Sequence, residues 1–312
     1  MSAHKDPLRL VFMGTPEFAV ASLDALVRAG YLIAGVVTAP DKPAGRGMQM
    51  SESAVKKYAN QHGLTLLQPE KLKDKQFLDS LRSLHADLQV VVAFRMLPEV
   101  VWNMPRLGTI NLHGSLLPQY RGAAPINWAV IHGEKETGVT TFKLQHDIDT
   151  GNILMQERFP IGDQETAGDV HDRMKEIGAR LVVRTVEGLI AGTLTERPQI
   201  EVSGGEAGIK HAPKIFTETC RIDWNRPVAE IYDLIRGLSP FPGAFTQLDG
   251  KVLKVYRSEK EPGIPSVPAG QLVTDKKTFL KFAAADGMIR LEEVQLEGKR
   301  KMKIEDFLRG YR

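Results

Sequence analysis

Short apolar runs and amphipathic stretches alternate along the first half of the chain. Residues 8–13 form an apolar run that is typical of a buried strand. The Gly-Thr-Pro turn at 14–16 then places a helix cap and a first-turn proline ahead of an amphipathic stretch that ends at Gly30. Residues 31–38 return to an apolar run. The chain therefore opens with a strand–helix–strand unit, which predicts a parallel sheet.

The same periodicities place the remaining elements and divide the chain in two. Further helices are predicted at 52–62, 73–84, 123–132 and 169–190, and further strands at 64–67, 87–94, 109–113, 138–144 and 153–159. Residues 191–213 are rich in Gly, Thr and Pro and read as a linker. Beyond them a helix is predicted at 227–237, with short strands at 244–248, 251–256, 270–273, 279–282 and 288–294. We therefore predict an α/β domain at 1–190, a linker at 191–213 and a small β-barrel domain at 214–312.

The predicted strand at 109–113 is central to the functional interpretation. Side chains alternate between the two faces of a strand, so Asn111 and His113 point to one face and emerge together where the strand ends. In open α/β sheets, ligands bind outside the carboxyl ends of the strands. We expect the strand at 138–144 to bring Asp149 to this same end of the sheet. A carboxamide, an imidazole and a carboxylate would then lie side by side.

Residues 39–50 have no hydrophobic period and contain two prolines and two glycines, so we predict a long irregular loop with nothing obvious to hold it. Loops of this length inside a compact domain are mostly functional or disordered. Lys42 and Arg46 suit contact with a nucleic-acid backbone, because guanidinium geometry matches phosphate. A surface loop without function is the alternative interpretation.

The composition of the 312 residues is that of an ordinary globular protein, with 42% hydrophobic and 25% charged residues. No apolar run approaches the ~20 residues that a membrane span needs, the first residues lack the apolar core of a signal peptide, and Cys220 is the single cysteine. We therefore expect a cytoplasmic protein without a disulfide. Residues 209–312 contain 19 Lys and Arg against 14 Asp and Glu, a surplus of +5 within a net charge of +3. This surplus would suit a C-terminal domain that contacts a polyanion.

Three motifs occur in order along the chain: Asn111-Leu-His113, Ser115-Leu-Leu-Pro118 and Asp149-Thr-Gly151. Together they resemble the folate-dependent formyltransferases. Two further segments, Met13-Gly-Thr-Pro-Glu-Phe-Ala19 and Arg121-Gly-Ala-Ala-Pro125, narrow the resemblance to the members that act on methionyl-tRNA, and the resemblance covers essentially the whole chain. It implies a Rossmann-like parallel-sheet formyltransferase domain followed by a small OB-like β-barrel domain that binds tRNA.

The resemblance also implies a reaction and a set of site residues. The formyl group of 10-formyltetrahydrofolate, the co-substrate, would pass to the amino group of initiator methionyl-tRNA without a metal. The implied catalytic residues are Asn111, His113 and Asp149. The implied folate-binding residues are Phe94, Arg95, Met96, Leu97, Ser115, Leu116, Leu117 and Pro118. The implied tRNA-binding residues are Lys42, Arg46 and Arg121.

Other chemistries fit the pattern less well. Dinucleotide binding is disfavoured, because the first turn has one glycine where the fingerprint needs three. A nucleophilic role for Ser115 is disfavoured, because the Gly-x-Ser-x-Gly pattern is absent. His146 departs from the family pattern, which more often has a small or apolar residue there. A metal site could be imagined at His113, His146, Asp147 and Asp149. Asp149 is more simply interpreted as a turn-forming residue, and His146 and Asp147 as residues on the rim of the loop.

Two alternative functions stay open at this point. The first is a formyltransferase for a small amine, such as a ribonucleotide or an amino sugar, and the second domain and the 39–50 loop argue against it. The second is a noncatalytic RNA-binding protein on a former enzyme scaffold, and the intact set of Asn111, His113 and Asp149 argues against it. We expect no membrane partner and a monomer.

Overall fold

The computed structural model describes residues 8–44, 49–203 and 208–311. The chain divides into two compact units, each described by itself below. The first comprises the residues up to Arg121 together with Gly138–Arg158 and Asp172–Lys210. The second comprises Gly122–Thr137, Phe159–His171 and the residues from His211 onward. No helix in the described ranges is long and apolar enough to cross a bilayer.

The strands are β1 (Arg9–Gly14), β2 (Leu32–Val37), β3 (Lys42–Ala44), β4 (Gln49–Ser51), β5 (Leu66–Leu67), β6 (Leu88–Val92), β7 (Thr109–His113), β8 (Arg121–Gly122), β9 (Glu136–Lys143), β10 (Ile153–Pro160), β11 (His211–Ala212), β12 (Ala244–Leu248), β13 (Lys251–Pro262), β14 (Leu272–Thr274), β15 (Leu280–Ala284), β16 (Gly287–Leu296) and β17 (Met302–Lys303). The α-helices are α1 (Glu17–Arg28), α2 (Ala54–Gln61), α3 (Lys75–Ser83), α4 (Glu99–Trp102), α5 (Pro125–Ile131), α6 (Ala167–Ala191), α7 (Gln199–Ser203), α8 (Val228–Gly237) and α9 (Ile304–Gly310). A 3-10 helix spans Glu218–Cys220.

The main sheet has the strand order β10-β9-β7-β6-β1-β2-β5. The pairs β1–β2, β1–β6, β6–β7 and β2–β5 are parallel, which confirms the predicted Rossmann-like parallel sheet. Every residue of β6 is buried, as is β1 from Leu10 onward. Strands covered on both faces need apolar side chains at successive positions, which is why these segments are continuous apolar runs.

The turn after β1 depends on Gly14. A Cβ atom at this position would lie 2.6 Å from the Cβ of Ala19 and 3.0 Å from the carbonyl oxygen of Val92. Glycine therefore lets the start of α1 approach the carboxyl ends of β1 and β6 closely. Close packing at the end of the sheet where β7 also ends therefore requires the glycine of the Gly-Thr-Pro turn.

Strand β9 runs antiparallel to β7, with Ile110 opposite Lys143 and His113 opposite Thr140. The carboxyl end of β9 therefore lies beside the start of β7, so the expected route of Asp149 is wrong, although its Oδ2 does lie 3.7 Å from Nδ1 of His113 at the end of β7. The loop after β9 brings Asp149 back to His113 instead. An alternating hydrophobic pattern is the same for either strand direction, so it could not reveal this reversal.

The base of the 39–50 segment is an antiparallel ribbon in which Lys42–Ala44 pairs with Gln49–Ser51. Asp41 anchors this ribbon: it accepts hydrogen bonds from the Lys56 ammonium and from Gln68 Nε2, the latter at 2.9 Å. The Lys56 hydrogen bond, with that of Gln68, lowers the pKa of Asp41 below its usual value. The prediction of an irregular loop held by nothing is therefore wrong for its base. Arg46 lies outside the described residues.

The second unit contains an antiparallel six-stranded sheet with the order β12-β13-β16-β15-β14, and β17 pairs with β16. One face packs on α8 and α9, in a core where Trp224 stacks on Phe282 with ring centroids 4.6 Å apart. The predicted small β domain is thus confirmed as an antiparallel half-barrel. Strand β13 runs six residues beyond its predicted end because irregular register near Arg257 lets it continue alongside β16.

Candidate functional site

His113 lies at the end of β7 between two oxygen acceptors and is 7% exposed. Its Nε2 lies 2.8 Å from the carbonyl oxygen of Tyr120, and its Nδ1 lies 3.7 Å from Oδ2 of Asp149. A carbonyl can only accept a hydrogen bond, so Nε2 donates. Both ring nitrogens therefore face oxygen atoms. The 3.7 Å separation between Nδ1 and Asp149 exceeds hydrogen-bond length, so the two groups are close without being hydrogen-bonded.

The two residues that face the imidazole have unusual backbone conformations. Tyr120 has φ +61° and Asp149 has φ +56°, in the left-handed region that residues with a Cβ rarely adopt. Each such residue costs of order 1–3 kcal/mol, and they persist where the surroundings determine them, often at functional sites. Here both conformations aim an oxygen atom at His113.

Asn111 lies on the same face of β7 as His113, two residues earlier. In the parallel and antiparallel ladders it stands opposite Val91 and Phe142, and it is half-buried. Within the part of the chain that the structure describes, its carboxamide makes no hydrogen bond, so its two N–H donors are available to a substrate. The structure thus places the predicted donor, imidazole and carboxylate together, although the carboxylate arrives by a returning loop.

Gly151 explains the third residue of the Asp-x-Gly motif. A Cβ atom at this position would lie 1.7 Å from the carbonyl oxygen of Lys143, in the last residue of β9. Any larger residue must displace that strand, because the clash is with backbone. The returning loop is closed further by the Thr150 hydroxyl, which donates to the carbonyl of Asp147 at 3.0 Å. Asp149 therefore lies in a loop that is fixed by the Thr150–Asp147 hydrogen bond and by the close packing of Gly151 on Lys143.

The Ser-Leu-Leu-Pro segment forms a buried turn after β7. Ser115 is fully buried, and its hydroxyl donates to the carbonyl of Gln119 at 2.6 Å. The Thr140 hydroxyl donates to the Ser115 carbonyl at 2.7 Å and accepts from the Leu117 amide at 3.0 Å. The Ser115 hydroxyl is thus engaged in the turn and is not placed as a nucleophile. Of the other members, Leu117 and Pro118 are buried and Leu116 is half-buried.

The turn after β6 leaves the sheet beside β7. Its first residue, Ala93, has φ +47°, while Phe94 and Leu97 pack on the apolar cluster that contains Val91. Met96 is 69% exposed. Among the described residues, the backbone amides of 94–97 make no hydrogen bond with other backbone groups. This turn therefore offers both free backbone groups and an apolar rim at the site.

Arg95 holds that turn in place. Its guanidinium donates to the carbonyl of Glu70 at 2.8 Å and to the carbonyl of Pro69, and it lies 5.5 Å from the ring centroid of Phe94. Burial lowers the pKa of Arg95 below its usual value. The structure therefore gives Arg95 a supporting contact with the backbone, beside the residues that face the site.

Two supporting residues were not predicted. Thr140 organises the turn at 115–118, and Gln199 accepts hydrogen bonds from Nε and Nη2 of Arg121 at 2.9 and 2.7 Å. Thr140 could have been noticed, since a buried hydroxyl in an apolar strand needs partners. A single glutamine in the predicted linker gave no comparable signal.

The remaining predicted residues lie apart from the imidazole. Lys42 is exposed at the base of the ribbon. His146 and Asp147 are exposed on the returning loop, with side chains 86% and 83% accessible. Within residues 8–44, 49–203 and 208–311, no group of three or more His, Cys, Asp and Glu side chains is arranged to hold a metal ion.

The chain matches the family described as Formyl transferase over residues 8–186 and the Formyl transferase C-terminal domain over residues 214–312. A methionyl-tRNA formyltransferase of Parabacteroides distasonis is 58% identical over 314 residues, covering 99% of this chain and 97% of that protein. Proteins of the same name from Bacteroides fragilis and Porphyromonas gingivalis are 55% and 50% identical, each covering 98% of this chain and at least 96% of the relative.

Solved structures share the fold. WlaRD, a sugar 3N-formyl transferase solved with dTDP and 5-N-formyl-THF, superposes with a TM-score of 0.68 at 18% identity, covering 95% of this chain and 100% of that one. HypX from Aquifex aeolicus, in complex with tetrahydrofolic acid, gives a TM-score of 0.66 at 16% identity. The match covers 97% of this chain and 47% of HypX, so this chain spans about half of HypX's length.

Proposed function

Since this chain belongs to the formyl transferase family, we propose that Asn111, His113 and Asp149 perform its chemistry. The chain transfers the formyl group of 10-formyltetrahydrofolate to the amino group of methionyl-tRNA, giving formylmethionyl-tRNA for translation initiation. The observation that supports this function most strongly is the 50–58% identity to relatives of that name, because it extends over both domains. We assign the initiator methionyl-tRNA as the acceptor.

The co-substrate supplies a formyl group that is already activated on nitrogen. Negative charge develops on the formyl oxygen as the amine attacks, and placed donors that stabilise such charge are usually the largest single catalytic contribution. Asn111 contributes a neutral amide donor and cationic His113 a charged one. Asp149 favours the charged imidazole and fixes its orientation. Asp149 also accepts the amine proton through a water molecule, and this proton passes to N10 as the bond between N10 and the formyl carbon breaks, so that tetrahydrofolate leaves. No step needs a nucleophilic side chain.

The turns beside the catalytic residues fit a folate. The exposed Met96 and the backbone groups of 94–97 present an apolar edge with hydrogen-bonding atoms, which suits a flat heterocycle with donors and acceptors on its rim. We propose that the turn at 115–118, where Ser115, Leu117 and Pro118 are buried and Leu116 is half-buried, lines the same site. We propose that Phe94 and Arg95 support this site from behind.

The tRNA would be bound by both parts of the chain. The C-terminal residues carry the +5 surplus, and an OB-like fold commonly binds nucleic acid. In the N-terminal part, Lys42 and Arg46 occupy the 39–50 segment and Arg121 follows the catalytic strand. We propose domain limits of 1–190 and 214–312 with a linker at 191–213, a monomeric state and a cytoplasmic location.

A comparison of acceptors tests the proposed function. The chain is incubated with 10-formyltetrahydrofolate and either methionyl-tRNA, free methionine or a nucleotide-linked amino sugar, and the formylated product is measured. Formylation of methionyl-tRNA alone is expected. Preferential formylation of the sugar would assign the small-amine function. The absence of product with every acceptor would contradict an enzymatic function.

Arg46→Ala is expected to lower transfer to methionyl-tRNA while leaving folate affinity unchanged. In the sequence Arg46 lies between two glycines, in the segment that joins the two strands of an anchored ribbon, and glycine lets a backbone approach a partner closely. Arg46→Lys should restore little, because a point charge does not replace the planar guanidinium. Transfer rates and folate binding are measured separately for the three proteins. An equal loss of folate affinity in Arg46→Ala would contradict a role toward tRNA.

A further inference from the structure

The side chain of Gln199 is buried, with 3% exposure, and all four of its hydrogen-bonding positions are used. Its Nε2 donates to the carbonyl of Asp149 at 2.8 Å and to the carbonyl of Gly151 at 2.9 Å. Its Oε1 accepts from Nε and Nη2 of Arg121 at 2.9 and 2.7 Å. The partners determine the orientation of the amide, since carbonyls need the N–H groups and a guanidinium needs the oxygen.

These contacts join the two segments that enclose the catalytic imidazole. Arg121 directly follows Tyr120, whose carbonyl oxygen accepts from Nε2 of His113. Asp149 lies on the other side, facing Nδ1. The Tyr120 and Asp149 backbones are both in the left-handed region, so each needs external contacts to keep its conformation. Gln199 is hydrogen-bonded to Arg121, the residue after Tyr120, and to the carbonyl of Asp149 itself.

We propose that Gln199 is a positioning residue for formyl transfer: its amide fixes the distance between the Tyr120–Arg121 segment and the Asp149 loop, and thereby the orientation of His113. The proposal rests on the catalytic roles proposed for His113 and Asp149. Gln199 touches neither the reacting atoms nor the imidazole. Its contribution is the geometry of the groups that do, and a misplacement of about 1 Å in such groups can cost roughly 10²-fold in rate.

The segment that carries Gln199 has independent attachments. Ile153 and Arg197 exchange backbone hydrogen bonds of 2.8 and 2.9 Å. Glu196 accepts from Lys143 Nζ at 2.8 Å and from Asn152 Nδ2 at 3.1 Å. These contacts keep the segment on β10 and the β9 end when the Gln199 amide is changed. Substitutions at position 199 therefore alter the site more than the fold.

The experiment uses the full chain with Gln199→Glu and Gln199→Leu, and Glu196→Gln as the matched control. Gln199→Glu keeps an oxygen for Arg121 but turns a second oxygen toward two carbonyls, where no donor remains. Gln199→Leu removes both sets of contacts. We expect kcat to fall roughly 10- to 100-fold in both, with KM for 10-formyltetrahydrofolate nearly unchanged. Glu196→Gln, which weakens the same segment without touching Arg121 or Asp149, should keep its kcat.

A double variant separates positioning from general support. When His113→Ala is already present, Gln199→Glu should lower kcat little further, because Gln199 acts through the orientation of His113. The proposal is overturned by normal kcat in both single variants, by losses that multiply in the double variant, or by a fall in Tm that accounts for the lost activity of Gln199→Glu. If the wild-type chain failed to formylate methionyl-tRNA, the proposed function would fail instead, and that outcome is visible before any variant is made.

Discussion

Replacement of His113 by alanine is expected to slow formyl transfer to methionyl-tRNA by at least roughly 10²–10³-fold, the usual cost of one charge-stabilising donor. Both substrates should still bind, because the folate-facing turns and the proposed tRNA contacts do not include the imidazole. The measurement is the single-turnover transfer rate at saturating concentrations of both substrates. Equilibrium binding of each substrate to the variant is measured alongside.

His146→Ala is the matched control for this prediction. His146 lies on the same loop as Asp149, but its side chain is 86% exposed, so it should keep a nearly normal rate. If His113→Ala transferred at close to the wild-type rate, or if His146→Ala lost as much activity, the imidazole at the end of β7 would not be the catalytic group.

Asp149→Asn is expected to lower the transfer rate roughly 10²-fold, because His113 then stabilises the charge on the formyl oxygen less well. Asparagine tolerates the left-handed conformation that Asp149 adopts at φ +56°, so the substitution removes the charge and leaves the loop in place. The single-turnover rate is measured for the wild type and the variant.

Asp147→Asn serves as the comparison, since Asp147 is on the same loop and its side chain is 83% exposed. It should leave the rate unchanged. A rate in Asp149→Asn close to that of the wild type, or an equal loss in Asp147→Asn, would argue that the Asp149 carboxylate does not act on His113.

Strand periodicity was enough to predict which side chains of β7 face the site. Asn111 and His113 follow from alternation alone, and the buried strands β1 and β6 follow from continuous apolar runs. The motif resemblance added Asp149, which periodicity could not have placed. In these features local sequence and tertiary structure agree, so the prediction needed no knowledge of distant contacts.

Features that depend on distant contacts could not be predicted. The direction of β9 depends on its pairing with β7, and an alternating pattern is identical for both directions. Asp41 anchors its ribbon through Lys56 and Gln68, which are 15 and 27 residues away in sequence. Gln199 is 78 residues from Arg121 and 50 from Asp149. A single polar residue gives no local sign of such partners, so the sequence indicated the candidate catalytic residues but not the residues that hold them.

The measurement that tests the account most directly is the single-turnover transfer rate of the double variant His113→Ala with Asp149→Asn. In the proposed mechanism Asp149 acts mainly by orienting His113 and stabilising its charge, so only its part in the proton relay remains once the imidazole is gone. We predict that Asp149→Asn slows His113→Ala by a factor well below the factor by which it slows the wild type. A double variant slowed by the product of the two single effects would show that His113 and Asp149 act independently, and would contradict the mechanism.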